Sequence, residues 1–396
     1  MRAFNRICVL VLDGFGVGSL PDAKSFGDEG AHTLKSISQG LQVPTLERLG
    51  IFEVGGLSRN LKTSSAFFSK MQEASAGKDT TTGHWEMMGL PLYKAFDYFP
   101  QGFPPEVMER FKKVTGLGGF LGNCTASGTE IVERLGAEHL QTGFPIVYTS
   151  ADSVMQIAAH EEKFGLQRLY EVCGRAREML TKSGHNVGRV IARPFAGEIE
   201  KFYRTKNRHD YSIPPPGDTS LSLLKKNGYR VLGIGKVPSI FDHQGFTEEC
   251  VALDDDSGIA ETKKAFQSLR EPGLIFSNLN DLDTLYGHRR NVDGYRNQLQ
   301  RIDEHLEALL KEMREDDLIM ITADHGNDPA FKGTDHTREY VPLLMWSPRF
   351  VEKDLETAFL KERSSFSDIG KSILDNFQVS GLKAGTNLWT DMKEAL

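Results

Sequence analysis

Carboxylates and imidazoles in this chain stand just beyond short apolar runs, and their types suit metal-dependent chemistry. Residues 318–322 read as a buried strand and lead into Asp324-His325-Gly326. Side chains alternate along a strand, so Asp324 and His325 reach one centre only if the strand ends or turns there, which Gly326 permits. A second pair, Asp335-His336, follows in a polar loop before the apolar run 341–346. Asp13 closes the run 7–12, and Asp283 and His288 follow the run 274–279. Oxygen and imidazole ligands suit hard-to-borderline cations. Any one such residue alone is commonly a cap or a surface charge; the joint pattern at strand ends is the signal. Together Asp13, Asp283, His288, Asp324, His325 and His336 exceed what one ion with an open position needs. Two ions roughly 3.5–4 Å apart, each facing one oxygen of an in-line displacement, suit transfer at phosphorus.

A hydroxyl nucleophile is offered by the stretch Gly77-Lys78-Asp79-Thr80-Thr81-Thr82-Gly83-His84-Trp85-Glu86. A helix is expected from His84. Threonine at a helix start is commonly only a cap, but a helix N-terminus also stabilises a phosphoryl group carried there. Lys78 would add a charge-assisted contact. Residue chemistry alone does not choose among Thr80, Thr81 and Thr82. The turn Asp13-Gly14-Phe15-Gly16-Val17-Gly18 is a poor dinucleotide fingerprint, because no helical pattern follows directly and Pro21-Asp22 interrupts. Asp13 fits better as a carboxylate at the end of a central strand, where open α/β sheets place their ligands.

The elements that must position these groups alternate. Strands expected at 230–234, 274–279 and 318–322 are each preceded by a helix: 221–226, 259–269 and a long amphipathic helix. That helix carries Leu299, Ile302, Leu306, Leu309, Leu310 and Met313 on one face. Such alternation implies an α/β fold, a mostly parallel sheet with helices on both faces. The texture differs between residues 93 and 217: aromatics and prolines, helices at 105–114 and 166–180, strands at 146–149 and 187–192, then Pro214-Pro215-Pro216-Gly217. Stiff proline-rich connectors of this kind read as the two strands of a hinge. The expected organisation is a discontinuous metal-binding catalytic core, residues 1–95 and 214–396, with a smaller inserted α+β cap domain over 96–213.

At 396 residues the chain is long enough for two domains. Its net charge of −7 gives no basis for a nucleic-acid or anionic-membrane partner, and no apolar run is long enough to span a bilayer. The first apolar run is too short for a secretory signal. Cys8, Cys124, Cys173 and Cys250 are far apart; free thiols in a reducing cytoplasm are expected, rather than disulfides or a cysteine zinc site.

Taken together, Asp13-Gly14 after the first strand, the stretch Lys78 to Glu86, Asp283 with Gly287-His288, Ala323-Asp324-His325-Gly326-Asn327 and Asp335-His336-Thr337 resemble the alkaline phosphatase superfamily. More narrowly, they resemble the phosphopentomutase family of bacterial deoxynucleoside catabolism. The likeness runs over nearly the whole chain and includes 148–161, 188–195, 207–211 and 322–342. Gly14-Phe15-Gly16 departs from it, leaning toward the cofactor-independent phosphoglycerate mutases. The resemblance implies an alkaline phosphatase-like core and an isomerase that moves phosphate between positions 1 and 5 of ribose or 2-deoxyribose, through a 1,5-bisphosphate. It assigns Thr80 as the nucleophile, resting as phosphothreonine. It assigns Asp283, His288 and His336 to one metal, and Asp13, Asp324, His325 and the Thr80 oxygen to the other. Two Mn2+ per chain and a sugar bisphosphate activator, glucose 1,6-bisphosphate or ribose 1,5-bisphosphate, are implied. Arg189, Arg204 and Lys236 would grip the distal phosphate, and Ser150 and Asp152 the sugar hydroxyls, while the cap keeps water from the phosphoenzyme. Asp335 becomes a supporting loop residue. The other readings are a phosphatase or phosphodiesterase, a phosphoglycerate-type mutase on the same core, and a metal-stabilised binding protein with a vestigial site.

Overall fold

The apolar runs that precede the acidic residues are strands, buried along their whole length. The computed structural model describes residues 3–57, 59, 65–150, 153–351 and 359–392. Its strands begin with β1 (Arg6–Leu12) and β2 (Ala66–Met71). Then come β3 (Leu121–Thr125), β4 (Ile146–Thr149), β5 (Val154–His160), β6 (Arg189–Ala196), β7 (Tyr203–Arg204) and β8 (His209–Ser212). The series ends with β9 (Arg230–Ile234), β10 (Glu248–Cys250), β11 (Gly273–Leu279), β12 (Asp317–Thr322) and β13 (Val341–Trp346). The chain divides into two compact units, one of Met1–Lys94 with Pro215–Leu396 and one of Ala95–Pro214.

The first unit holds a seven-stranded sheet in the order β10-β9-β11-β1-β12-β13-β2. Pairs from β10 to β12 are parallel, and β13 runs antiparallel to both β12 and β2. Continuous apolar strands such as β1 and β11 are what a sheet covered on both faces requires. Three central strands end level with one another: Leu12 pairs with Leu279, and Val11 with Thr322. Asp13, the Asp283 segment and Asp324 therefore emerge side by side from one edge. At the opposite end Arg6 grips Asp317 with two hydrogen bonds, of 2.6 and 2.5 Å, which pins β1 to β12. The long helix is Val292–Leu310, and it buries Leu299, Ile302, Leu306, Leu309 and Leu310 as its spacing requires.

One helix begins earlier than its sequence suggests. It spans Thr80–Met87, starting at Thr80 rather than His84, because the Asp79 carboxylate caps it by accepting from the Thr82 N–H at 3.1 Å. The threonines thus form the first helical turn instead of preceding it.

The second unit has a six-stranded mixed sheet, β3-β4-β5-β6-β7 with β8 also on β6. Helices Pro105–Thr115 and Leu166–Lys182 share one apolar core with it, built on Phe111, Met155, Val172 and Val190. Helix Gly128–Thr142 shares another, with Ile131, Ile146, Ala158 and Phe195. Among the described residues no helix is long and apolar enough to cross a membrane.

Candidate active site

Three carboxylates are buried where the central strands end. Asp13 and Asp324 are 0% exposed, and Asp283 is 2%. Asp13 accepts through Oδ2 from Asn278 Nδ2 at 2.9 Å, and Lys236 Nζ lies 3.8 Å away. Asp324 accepts through Oδ1 from the Gly14 N–H at 3.1 Å. Asp283 accepts from Asn327 Nδ2 at 2.7 Å. Asp13 Oδ1 and Asp324 Oδ2 have no hydrogen-bond partner although fully buried. Both turn toward one atom, His325 Nε2, at 3.5 and 3.3 Å.

Three imidazoles complete the cluster, and backbone carbonyls fix their tautomers. A carbonyl only accepts, so a ring nitrogen bonded to it carries the proton. His325 Nδ1 donates to Gly326 O at 3.1 Å, His336 Nδ1 to Lys78 O at 2.9 Å and His288 Nδ1 to Thr334 O at 2.7 Å. Each Nε2 lone pair therefore faces carboxylates. His288 Nε2 and His336 Nε2 each lie 3.3 Å from an Asp283 oxygen and 3.2 Å from each other. Two lone pairs at that separation repel unless a cation or a proton lies between them. The orphaned carboxylate oxygens and the fixed tautomers both fit metal ions. Donor atoms of Asp13, Asp324 and His325 lie within 4.8 Å of one another, as do those of Asp283, His325 and His336. His325 stands between the two sets, with its ring stacked 3.7 Å from that of His336. The Thr80 hydroxyl is 3.2 Å from His325 Nε2, the atom that Asp13 Oδ1 and Asp324 Oδ2 also approach.

Burial governs the charge states. It pushes the Asp13 carboxyl up to about 7, with the neighbouring Asp324 adding to the shift. It pushes His325 down to about 4, which leaves the neutral ring a metal ligand needs. Burial also raises Asp324, but His325, His84 and the Gly14 N–H outweigh it and bring that carboxyl to about 2.

The loops are held by residues whose roles the sequence does not announce. Glu339, 2% exposed, accepts from the Gly18 and Thr33 N–H groups at 3.0 and 2.9 Å and from the Thr33 and Thr337 hydroxyls at 2.7 Å each. One carboxylate thus ties the turn after β1 to the residue beside His336. A Cβ on Gly16 would sit 2.3 Å from Glu339 Cδ, so glycine there serves this close packing and no dinucleotide. His84 is wholly buried; its Nδ1 lies 2.9 Å from Thr80 O and 3.3 Å from Asp324 Oδ2. The Lys78 ammonium pairs with Asp28 at 2.9 Å and Asp335 at 3.1 Å. These carboxylates hold the side chain, and its carbonyl orients His336. Asp335 is the supporting loop residue the resemblance implies.

The structure gathers Thr80, Asp13, Asp283, His288, Asp324, His325, His336 and Lys236 in one place. Lys236 also donates to Asn280 Oδ1 at 3.1 Å. Ser150, Arg189 and Arg204 belong to the second unit: Ser150 follows β4, Arg189 opens β6 with Nη1 3.5 Å from Asp210, and Arg204 closes β7. Asp152 lies outside the described residues. Asn278, Asn327, His84 and Glu339 have no role assigned by the sequence reading. Asn327 and His84 lie within the quoted motifs, and that was the available signal.

The sequence matches the family model of the metalloenzyme superfamily over residues 5–381. It is 47% identical over 391 residues to the phosphopentomutase of Caldanaerobacter subterraneus subsp. tengcongensis, a match covering 98% of each chain. The structure is similar in fold to that of the PH0037 protein from Pyrococcus horikoshii, with a TM-score of 0.50 and 16% identity over 97% of this chain and 100% of that one. The buried pairing of carboxylates with Nε2 lone pairs, the threonine beside it and this near full-length identity agree: the chain belongs to the phosphopentomutase family, metal-dependent isomerases of the metalloenzyme superfamily.

Proposed function

We propose that this enzyme interconverts ribose 1-phosphate and ribose 5-phosphate, and their 2-deoxyribose counterparts, through a phosphothreonine at Thr80. The observation that carries this reading is the Thr80 hydroxyl set 3.2 Å from His325 Nε2, the atom that the unpartnered oxygens of Asp13 and Asp324 also approach. Phosphorylated Thr80 passes its phosphoryl group to the free hydroxyl of the pentose monophosphate, which gives the 1,5-bisphosphate. The bisphosphate turns over and returns its other phosphoryl group to Thr80 Oγ1. Asp13, Asp324, His325 and Thr80 would hold one metal ion, and Asp283, His288 and His336 a second. Bound there, Mn2+ would supply positive charge for the oxygens that gain charge in the transfer and favour the alkoxide of Thr80. A sugar bisphosphate, glucose 1,6-bisphosphate or ribose 1,5-bisphosphate, would prime Thr80.

The second unit supplies a fitting reader of phosphate. Arg189, Arg193, Arg204 and Arg208 occur within two of its strands and one connecting turn, with Asp210 as a nearby carboxylate. Arg193 and Arg204 both influence the buried Tyr148 hydroxyl, which has no hydrogen-bond partner. Arginine forks and a hydroxyl suit the phosphate not being transferred, with Ser150 and Asp152 for sugar hydroxyls. On the metal-binding unit, we assign Lys236, 3.8 Å from Asp13, to a substrate phosphate. The unpaired thiols are in keeping with a reducing cytoplasm.

The test is a coupled assay with ribose 1-phosphate, Mn2+ and a trace of glucose 1,6-bisphosphate. Ribose 5-phosphate should form without net release of inorganic phosphate. Steady phosphate release without isomerisation would make the enzyme a phosphatase instead.

A further inference from the structure

Arg290 follows the ligand segment and directs all three guanidinium nitrogens at the surrounding loops. Its Nε donates to Gly333 O at 2.6 Å. Its Nη1 donates to Gly287 O at 2.8 Å, to Asn327 Oδ1 at 2.5 Å and to Asp328 O at 3.1 Å, and its Nη2 to Asp335 O at 2.7 Å. These five acceptors lie on three stretches of chain. Two of them lead directly into His288 and His336, and the third reaches Asp283 through the Asn327 side chain. Gly287 precedes His288, and Asp335 precedes His336. Asn327, gripped through its oxygen, donates through Nδ2 to Asp283 at 2.7 Å. The stretches approach so closely that a Cβ on Gly287 would lie 2.6 Å from Asn327 Nδ2.

The backbone carries a second mark. Arg290 has φ +53°, in the left-handed region that non-glycine residues avoid. Such conformations persist where the surroundings over-determine them, and they cluster at functional sites. Nothing in the turn itself requires an arginine. What requires one is the planar fork, since a lysine has a single nitrogen and cannot serve five acceptors in these directions. Asp328, Asp335, Asp283 and Asp28 favour a cation here, but a charge alone does not select the fork, since lysine would supply it equally.

We propose that Arg290 is a positioning residue that fixes the spacing of Asp283, His288 and His336, and thereby the affinity of that set for its ion. The Asp13, Asp324 and His325 set, which Arg290 reaches only indirectly through Asn327 and Asp328, depends on it less. This rests on the reading that Asp283, His288 and His336 bind a metal.

The experiment titrates Mn2+ into the metal-free full-length enzyme, by calorimetry or by the free-ion spin-resonance signal, for the wild type and for Arg290→Lys, Arg290→Met and His336→Ala. Both Arg290 variants should keep one site within about threefold of wild type and weaken the other by about ten- to a hundredfold, the usual cost of losing an outer hydrogen-bond partner. Mutase activity should then fall at limiting Mn2+ and return at high Mn2+, with kcat at saturation unchanged. Asn327→Ala should reproduce the selective loss, and it carries the test if an Arg290 variant does not fold. Two sites of wild-type affinity in Arg290→Lys would overturn the proposal. So would tighter binding in Arg290→Met, which would mean that only charge matters, or equal weakening of both sites with a lower unfolding midpoint of the metal-free protein, which would mean a general structural role. His336→Ala reports on the underlying reading separately: if that variant keeps both sites, the ligand set itself is wrong.

Discussion

Thr80 owes its chemistry to what surrounds a weak nucleophile. Its hydroxyl lies 3.2 Å from a neutral imidazole nitrogen that two buried carboxylates also approach, an environment that activates a hydroxyl only with a cation present. Thr80→Ala should lower mutase activity by at least about 10³-fold, as loss of a nucleophile does elsewhere, and abolish incorporation of labelled phosphate into the protein. Persistent labelling would move the nucleophile to Thr81 or Thr82. Asn278 acts one step out. Its amide holds Asp13 Oδ2, leaving Oδ1 directed at His325. Asn278→Ala should weaken Mn2+ binding by about 10–100-fold with little change in Km for ribose 1-phosphate at saturating metal. An unchanged metal titration would show that Asp13 needs no such support.

At the scale of elements, the proposed nucleophile is placed by a helix lying directly on a strand end. A Cβ on Gly83 would come 2.1 Å from the Asp324 carbonyl oxygen, a backbone atom that cannot step aside. The Thr80–Met87 helix reaches the metal site only because residue 83 has no side chain. Gly83→Ala should force helix and strand apart. The expected result is a destabilisation of about 1–3 kcal/mol, read by denaturant unfolding, with an activity loss far larger than a surface Gly→Ala change would give. Wild-type activity in that variant would mean the helix tolerates displacement. Glu86, at the same helix, accepts from the Ala74 and Ser75 N–H groups at 2.9 and 2.7 Å and from the Phe366 N–H at 2.9 Å. The element is thereby tied to the loop before it and to the C-terminal part of the unit.

For the whole molecule, protonation, metal binding and folding are linked. Asp13, raised from 3.8 to about 7 chiefly by burial, is protonated in the metal-free fold below about pH 7. An ion must displace that proton, so metal affinity at the Asp13 set should fall about tenfold per pH unit below about 7 and level off above it. Titrations at pH 6, 7 and 8, with proton release followed, check the slope; no proton release at pH 6 would contradict it. For the stability of the metal-free fold the signs differ. Raised carboxyls contribute stability that is full below their unfolded values and lost as pH climbs to the folded ones: Asp13 from 3.8 to about 7, Glu339 from 4.5 to about 7 and Asp255 from 3.8 to about 6. His325, lowered from 6.5 to about 4, contributes the opposite way, with stability full above 6.5 and lost as pH falls to about 4. Glu73, Asp281, Asp303 and His288 are also raised, against lowered His32 and His139, so the raised groups set the sign. The metal-free protein should become less stable to urea as pH rises from about 5 to 7, and Mn2+ should reverse the trend, adding about 2.7 kcal/mol per site at a hundredfold excess over Kd.

Local order in this chain is largely written in local pattern. Apolar runs such as 274–279 and 341–346, and the one-sided spacing from Leu299 to Leu310, determine strands and a helix, because burial of a face depends on nearby residues. The α/β class and the residue types of the metal site follow from them. Elements without a clean period were not legible. The strand β5, Val-Met-Gln-Ile-Ala-Ala-His, is buried throughout and so shows no alternation; helix Gly128–Thr142 has its apolar stripe broken by Gly136 and His139. Within the site, the ligand types could be read, but the tautomers could not. They depend on the carbonyls of Lys78, Thr334 and Gly326, and the Lys78 carbonyl is 258 residues from the ring it orients. The same holds for the Lys78 side chain, held by Asp28 and Asp335, and for the left-handed Arg290 that binds three loops together. The sequence by itself determined which groups are present and which strands end beside them. Only the tertiary structure decided which lone pair faces which carboxylate, because hydrogen bonds between distant segments exist only once packing has brought those segments together.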